Sequence, residues 1–127
     1  MTQEHKQLLL KDLCARLPYG VIVQENDGVN ENDNKLLNID MFDRCINYDY
    51  IIDDIKPYLR PMSSMTEEER DEVKKYMKRE QIVNVAFYHA TEKTYDWYNA
   101  HHFDYRGLIP MGLALEAPEG MYNYENN

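Results

Sequence analysis

Along the chain, apolar positions first recur at helical spacing and then shift to shorter, strand-like runs. Leu9, Leu10, Leu13, Cys14 and Leu17 form one stripe, which predicts a helix over 3–17 with Thr2 as N-cap and Pro18 as its stop. Gly20 then lets the chain turn into a β-branched strand, Val21-Ile22-Val23. Residues 25–34 are polar, contain Asp27-Gly28 and read as a long exposed turn. Leu37, Ile39 and Met41 alternate with Asn38, Asp40 and Phe42, the pattern of a half-buried strand returning antiparallel to the first. Residues 46–52 give a third candidate strand. Pro57 and Pro61 make 55–65 an extended or irregular connector.

Thr66 followed by Glu69 is a capping-box pattern, and Glu67, Glu68 and Glu69 suit the positive end of a helix dipole. A helix over 67–79 follows, with Val73, Tyr76 and Met77 inward and a stripe narrow enough to place it at the surface. Ile82 to Tyr88 is the clearest strand. Thr91 or Thr94 caps a further helix over 92–105, with Gly107 suited to its C-terminal end. Residues 108–115, broken by Pro110 and Gly112, read as a packed turn. These elements predict an α+β fold: a small antiparallel sheet of about four strands packed with about three helices. It forms a single domain over 1–117, and 118–127 is a frayed tail.

Composition changes this picture in one respect. The chain has 127 residues, enough for one core, and 43% hydrophobic with 29% charged residues is ordinary globular usage. The charge is not ordinary: 14 Lys+Arg stand against 23 Asp+Glu, a net −9. Such a surface repels phosphate backbones and anionic membranes, which argues against generic nucleic-acid coating and against a membrane role. Two readings stand. The charge keeps a small protein soluble, or an acidic face docks on a basic partner. The first has precedence, because net charge bears on solubility before it bears on partners.

Cys14 and Cys45 are isolated, with no Cys-x-x-Cys, which suits a reducing compartment. Cys14, on the apolar stripe, reads as a small hydrophobe. The N-terminus lacks a basic start followed by an apolar run, and no apolar stretch nears the roughly 20 residues of a membrane span. A cytoplasmic location is the expectation.

Three blocks, LLLKDLCARLPYGV (8–21), IKPYLRPMSSMTEEE (55–69) and DWYNAHHFDYRGLIPMGLALEAPEGMY (96–122), resemble a family of short prophage and mobile-element proteins of gut Bacteroides-type bacteria. The resemblance covers somewhat under half the chain. It implies a bacterial cytoplasm and an accessory gene. It carries over no activity, ligand or catalytic residue.

Read for chemistry, the densest cluster is Asp96, Trp97, His101, His102 and Asp104, with His89 nearby. Imidazole and carboxylate can ligate zinc, manganese or iron. On a helix, however, His101 and His102 point about 100° apart, and His-x-x-x-His is absent. A helix end where imidazoles cap carbonyls or pack on tyrosines is the favoured alternative. The 25–34 segment fails the EF-hand pattern, with Val23 at the first ligand position and no distal Glu. No Gly-x-Ser-x-Gly, phosphate loop or dinucleotide fingerprint occurs. No catalytic residue and no cofactor is assigned.

Eleven tyrosines are the other feature. Tyr95, Trp97, Tyr98, Tyr105 and Arg106 lie close in sequence, and Lys56, Tyr58 and Arg60 form a locally basic group. Together they are candidate ligand-binding residues for an anionic ligand such as a small signalling nucleotide, against the reading that they are core and rim. Glu67, Glu68, Asp71 and Glu72 are candidate partner-binding residues. The function read from this is a non-catalytic binding protein acting stoichiometrically on a host or phage protein or a small nucleotide, as an anti-defence inhibitor or sponge. The alternatives are a metal-dependent hydrolase using His101, His102, Asp104 and Asp96, and a phage structural or assembly component, for which a homo-oligomer is expected.

Overall fold

Helix starts in this chain are fixed by local hydroxyl and amide caps. Thr2 accepts from the His5 N–H at 3.1 Å and opens α1 (Gln3–Arg16). Thr66 and Glu69 form the reciprocal capping box that opens α3 (Glu67–Lys74), and Thr91 with Thr94 opens α4 (Glu92–Ala100) in the same way. The protein's structure, a computed structural model, describes residues 1–26, 33–48 and 50–122.

It is an α+β fold. A four-stranded sheet has the order β2-β1-β3-β6, with β1 (Ile22–Glu25), β2 (Asp33–Leu36), β3 (Ile55–Leu59) and β6 (Leu115–Glu116). β1 pairs antiparallel with both β2 and β3, and β6 runs parallel to β3. One face is covered by α1 and α2 (Ile39–Asn47). Leu9 and Leu13, Met41 and Cys45, Val23, Ile55 and Leu59 share one aliphatic core, closed by Leu108, Leu113 and Ala114. A second cluster of Val73, Trp97, Tyr98 and Phe103 joins α3 to α4. The polar 25–34 turn lies largely outside the described residues.

Several expectations are corrected. Residues 39–47 form a helix rather than a strand, because Asn38 accepts from the Met41 N–H at 2.8 Å and Met41, Phe42 and Cys45 bury one helical face. Of the 46–52 segment, Ile46 and Asn47 end that helix and Ile52 opens a 3₁₀ turn. The strand that returns beside β1 is β2, and on its other side lies β3, within the stretch read as a connector. Asn26 donates to the Asp54 carbonyl at 2.9 Å, which puts Lys56 in a bonded position against Gln24 and Pro57 in a non-bonded one against Val23. Proline's missing N–H therefore costs β1 no ladder bond.

The single strand expected at 82–88 is a hairpin, β4 (Lys78–Ile82) and β5 (Val85–His89), turning at Val83-Asn84 with Val83 at φ 56°. Tyr76 is exposed and the α3 helix stops at Lys74. α4 stops at Ala100, short of 105. His102, at φ 62°, donates its N–H to the Asn99 carbonyl, and Phe103 donates to the Tyr98 carbonyl. This is a Schellman closure with histidine where glycine is usual, so Gly107 is not the cap. The tail expected to fray from 118 is held at Tyr122, whose hydroxyl accepts from the Ile22 N–H and donates to the Tyr58 carbonyl, both at 2.8 Å. Residues 123–127 lie outside the described residues.

α1 is also rotated from the expected stripe. Leu9, Asp12, Leu13 and Arg16 are buried, while Cys14 is exposed. The reason is a polar contact across the whole chain. Arg16 donates to Asp12 at 2.8 Å and to the Phe103 carbonyl at 2.7 Å, and Arg106 donates to the other Asp12 oxygen at 3.1 Å. Asp12 and Arg16 are both 0% exposed. This pair sits between the aliphatic core and the aromatic cluster.

Candidate functional site

The candidate ligand residues on β3 share one face. Strand alternation buries Ile55, Pro57 and Leu59 and turns Lys56, Tyr58 and Arg60 to the other side. Arg60 is not free to take an anion. Its guanidinium forms two bonds to Glu69, at 2.8 and 2.7 Å, and lies 4.1 Å above the Phe103 ring. Burial alone would raise the Glu69 carboxyl, but the hydrogen bonds and charge of Arg60, with those of Thr66, hold it below the usual range. The Arg60 backbone bonds His102 and Asp104 on the neighbouring segment. Tyr58 accepts from Gln24 at 3.2 Å and donates to Asn34 at 3.0 Å.

The second candidate set is packed rather than open. Tyr95, Tyr98 and Tyr105 lie on one another with ring centroids 5.2 to 6.1 Å apart. Trp97 stacks on His101 and Phe103. Tyr105 donates to Asn99 and accepts from Arg106, whose guanidinium also lies over the tyrosine ring. Trp97 does line a shallow apolar recess of about 270 Å³ with Tyr19, Tyr76 and Ala100. Arg60 joins β3 to the segment after α4, lying on Phe103 and bonding the backbone of His101, His102 and Asp104, while Arg60 lines one concavity and Trp97 another.

The four residues considered for metal do not converge. Asp96 is exposed. His101 Nδ1 faces the Trp97 carbonyl at 2.9 Å. Asp104 accepts from the N–H groups of Leu108 and Ile109 at 2.8 and 2.9 Å, closing the turn after α4. His102 is buried against the Tyr122 ring at 3.8 Å, and burial, then the charges of Arg16, His101 and Arg60, push its pKa down to about 3. His89 belongs to the hairpin, 2.9 Å from Glu80. Among the described residues no group of three or more His, Cys, Asp or Glu is placed to hold a metal ion. Burial pushes the Cys45 thiol up to about 11, which disfavours its thiolate near neutral pH.

A larger concavity than the Trp97 recess lies elsewhere. A groove of about 1170 Å³ runs between the Arg60–Glu69 segment and the 116–122 segment. Its floor is built by β6, where Ala117 donates to the Leu59 carbonyl at 2.8 Å, and by the anchored Tyr122. Glu67, Glu68, Glu69, Glu116 and Glu119 line it, with Arg60 the single guanidinium among the lining residues. Glu69 neutralises Arg60. The other four glutamates have no ion-pair partner among the described residues. Of the candidate partner residues, Glu67 and Glu68 are in this groove, while Asp71 and Glu72 lie further along α3, exposed and outside it. Glu116 and Glu119 escaped the sequence reading, because only the β6 pairing brings them to α3.

No protein-family model, no curated protein and no solved structure matches the chain. No helix among the described residues is long and apolar enough to cross a membrane.

Proposed function

We propose that the protein is a non-catalytic binding factor that acts stoichiometrically, receiving a basic segment of a partner protein in the groove beside α3. The observation that carries this reading is the groove's charge. It holds four glutamates unpaired among the described residues, and its one guanidinium is already bound to Glu69. A Lys- or Arg-bearing segment complements that field, which would steer its approach and fix its register. The chain's net −9 acts in the same direction. A nucleotide ligand has less support, since Arg60 is bound to Glu69, Arg106 to Asp12, and Trp97, Tyr98 and Tyr105 pack on one another. As an accessory protein of a phage or mobile element in a bacterial cytoplasm, it would act on a host protein, as an inhibitor does.

The test is titration of a Lys/Arg-rich peptide, with capture from host lysate alongside. Glu68→Lys with Glu119→Lys lowers peptide affinity about tenfold or more. Glu4→Lys with Asp43→Lys makes the same change in net charge outside the groove and leaves affinity nearly unchanged. Equal losses from both double variants would reduce the attraction to bulk charge and remove the groove from the account.

A further inference from the structure

The C-terminal segment enters the main sheet at one point. β1 and β3 pair from Glu25–Ile55 to Val23–Pro57. Bonded positions alternate along this ladder, at Asn26–Asp54, at Gln24–Lys56 and next at Ile22–Tyr58. The strand pairing stops short of that last position. The Tyr122 hydroxyl stands there instead, accepting from the Ile22 N–H at 2.8 Å, donating to the Tyr58 carbonyl at 2.8 Å and lying 3.4 Å from the Ile22 carbonyl. A side chain thus replaces one rung of the ladder. Its ring stacks on the buried His102 imidazole, with centroids 3.8 Å apart.

Between β6 and this hydroxyl the chain is held lightly. β6 is two residues long, and Ala117 adds one bond to the Leu59 carbonyl. Residues 118–121 form a tight turn, closed by the Met121 N–H on the Pro118 carbonyl at 3.1 Å, with Gly120 at φ 83° in its third position. Pro118, Glu119 and Gly120 are exposed.

Two arrangements of this segment satisfy the backbone. In the closed one the hydroxyl bridges Ile22 and Tyr58. In the open one those two residues face each other in the bonded register, and the ladder extends by one pair. The hydrogen bonds lost and gained nearly cancel, so the balance rests on the stacked ring and on charge. Charge opposes closure. It brings Glu119 into the groove with Glu67, Glu68 and Glu116, none of which has an ion-pair partner among the described residues.

We propose that residues 118–122 are a strap over the groove, latched by Tyr122, opposed by the glutamates and drawn shut by a basic segment bound there. Only the last part rests on the reading of the groove as a site for basic segments. A ligand that meets Glu119 in the closed arrangement alone shifts the equilibrium toward closure, and by reciprocity a broken latch weakens that ligand. Tyr122 is a positioning residue, acting through Glu119.

Chymotrypsin on the full chain tests this, because a cut after Tyr122 takes that ring into the protease's own pocket and requires an open latch. The rate at which the chain ending at residue 122 forms, relative to the same cut in a free peptide of residues 117–127, follows the open population. Glu68→Gln with Glu116→Gln leaves the cut site intact and slows the cut roughly two- to fivefold. Glu4→Gln with Asp43→Asn, outside the groove, removes the same charge and leaves the rate unchanged. Tyr122→Phe keeps a cleavable ring without the hydroxyl and speeds the cut about fivefold or more. Octalysine, which chymotrypsin does not cut, slows it in the unaltered protein. In titrations with octalysine, Tyr122→Ala and Glu119→Gln each weaken binding about threefold, and the two together cost little more than either alone. A cut rate that Glu68→Gln with Glu116→Gln leaves unchanged, or that both double variants slow alike, overturns the strap, and additive affinity losses overturn its coupling to the ligand. Failure of octalysine to bind the unaltered protein removes the groove reading and the ligand's part in closure, while the glutamate and Tyr122→Phe cuts still decide the latch.

Discussion

The strand pairs β1–β2 and β4–β5 are both antiparallel and differ in what covers them. β1 buries Val23 against Leu9 and Leu13 of α1, and its outer edge is taken by β3. β4–β5 presents Ile82, Val85 and Phe87 to solvent, and its two edges lie open. Strand propensity is at least as high in β5, Val-Ala-Phe-Tyr-His, as in β1, Ile-Val-Gln-Glu. The difference lies in the connections. α1 and β3 close over β1, whereas α3 and α4 pack on each other at the base of the arm and leave it projecting. A hydrophobic run therefore reports what can be buried, and topology decides whether it is.

The comparison breaks most readily at the polar contact between the two cores. Asp12→Ala leaves the fully buried Arg16 without its carboxylate and frees Arg106. It should cost about 3–5 kcal/mol in urea unfolding. A loss below about 1 kcal/mol would mean that water reaches the guanidinium.

Matched truncations sharpen the contrast directly. Val23→Ala, in the aliphatic core, should cost roughly 1.5–3 kcal/mol, whereas Val85→Ala, on the arm, should stay within about 0.5 kcal/mol in dilute solution. Similar losses at both sites would show that the arm is packed.

The effect that is smallest near neutral pH, and grows only as acid is added, comes from His102. His102 is held neutral, with its pKa near 3 against 6.5 unfolded, so below pH 6.5 the unfolded chain takes up a proton that the folded one refuses. Stability then falls as pH drops from about 6.5 toward 3, by at most about 1.4 kcal/mol per pH unit from this group. The lowered Glu69 carboxyl adds a loss that begins below its ordinary range, as its pairing with Arg60 is protonated away. His102→Gln should flatten the part of the profile nearest pH 6. An unchanged slope there would place the titration on another group.

Some of this was legible in residues close together in the chain. Thr2, Thr66 with Glu69, and Thr91 announce their helices because each cap closes within four residues. Glu67 and Glu68 were legible as a charged surface for the same reason, since the first turn of a helix favours them. Period alone misread 37–42, where Leu37, Ile39 and Met41 alternate like a strand but Asn38 caps a helix that buries Met41, Phe42 and Cys45. Pro57 misdirected the reading of β3, because whether its missing N–H matters depends on which way the ladder points.

By itself, then, the sequence determined the class of fold, the starts of α1, α3 and α4 and the acidic balance, all of which follow from hydrogen bonds a few residues long or from composition. Only the tertiary structure decided that Asp12 and Arg16 go inside, that Glu116 and Glu119 join Glu67 and Glu68 around one groove, and that the β4–β5 arm stays bare. Each of these depends on groups distant in sequence, such as Phe103 and Arg106 reaching back to α1. A burial free energy has no value until the partner that removes the water is in place.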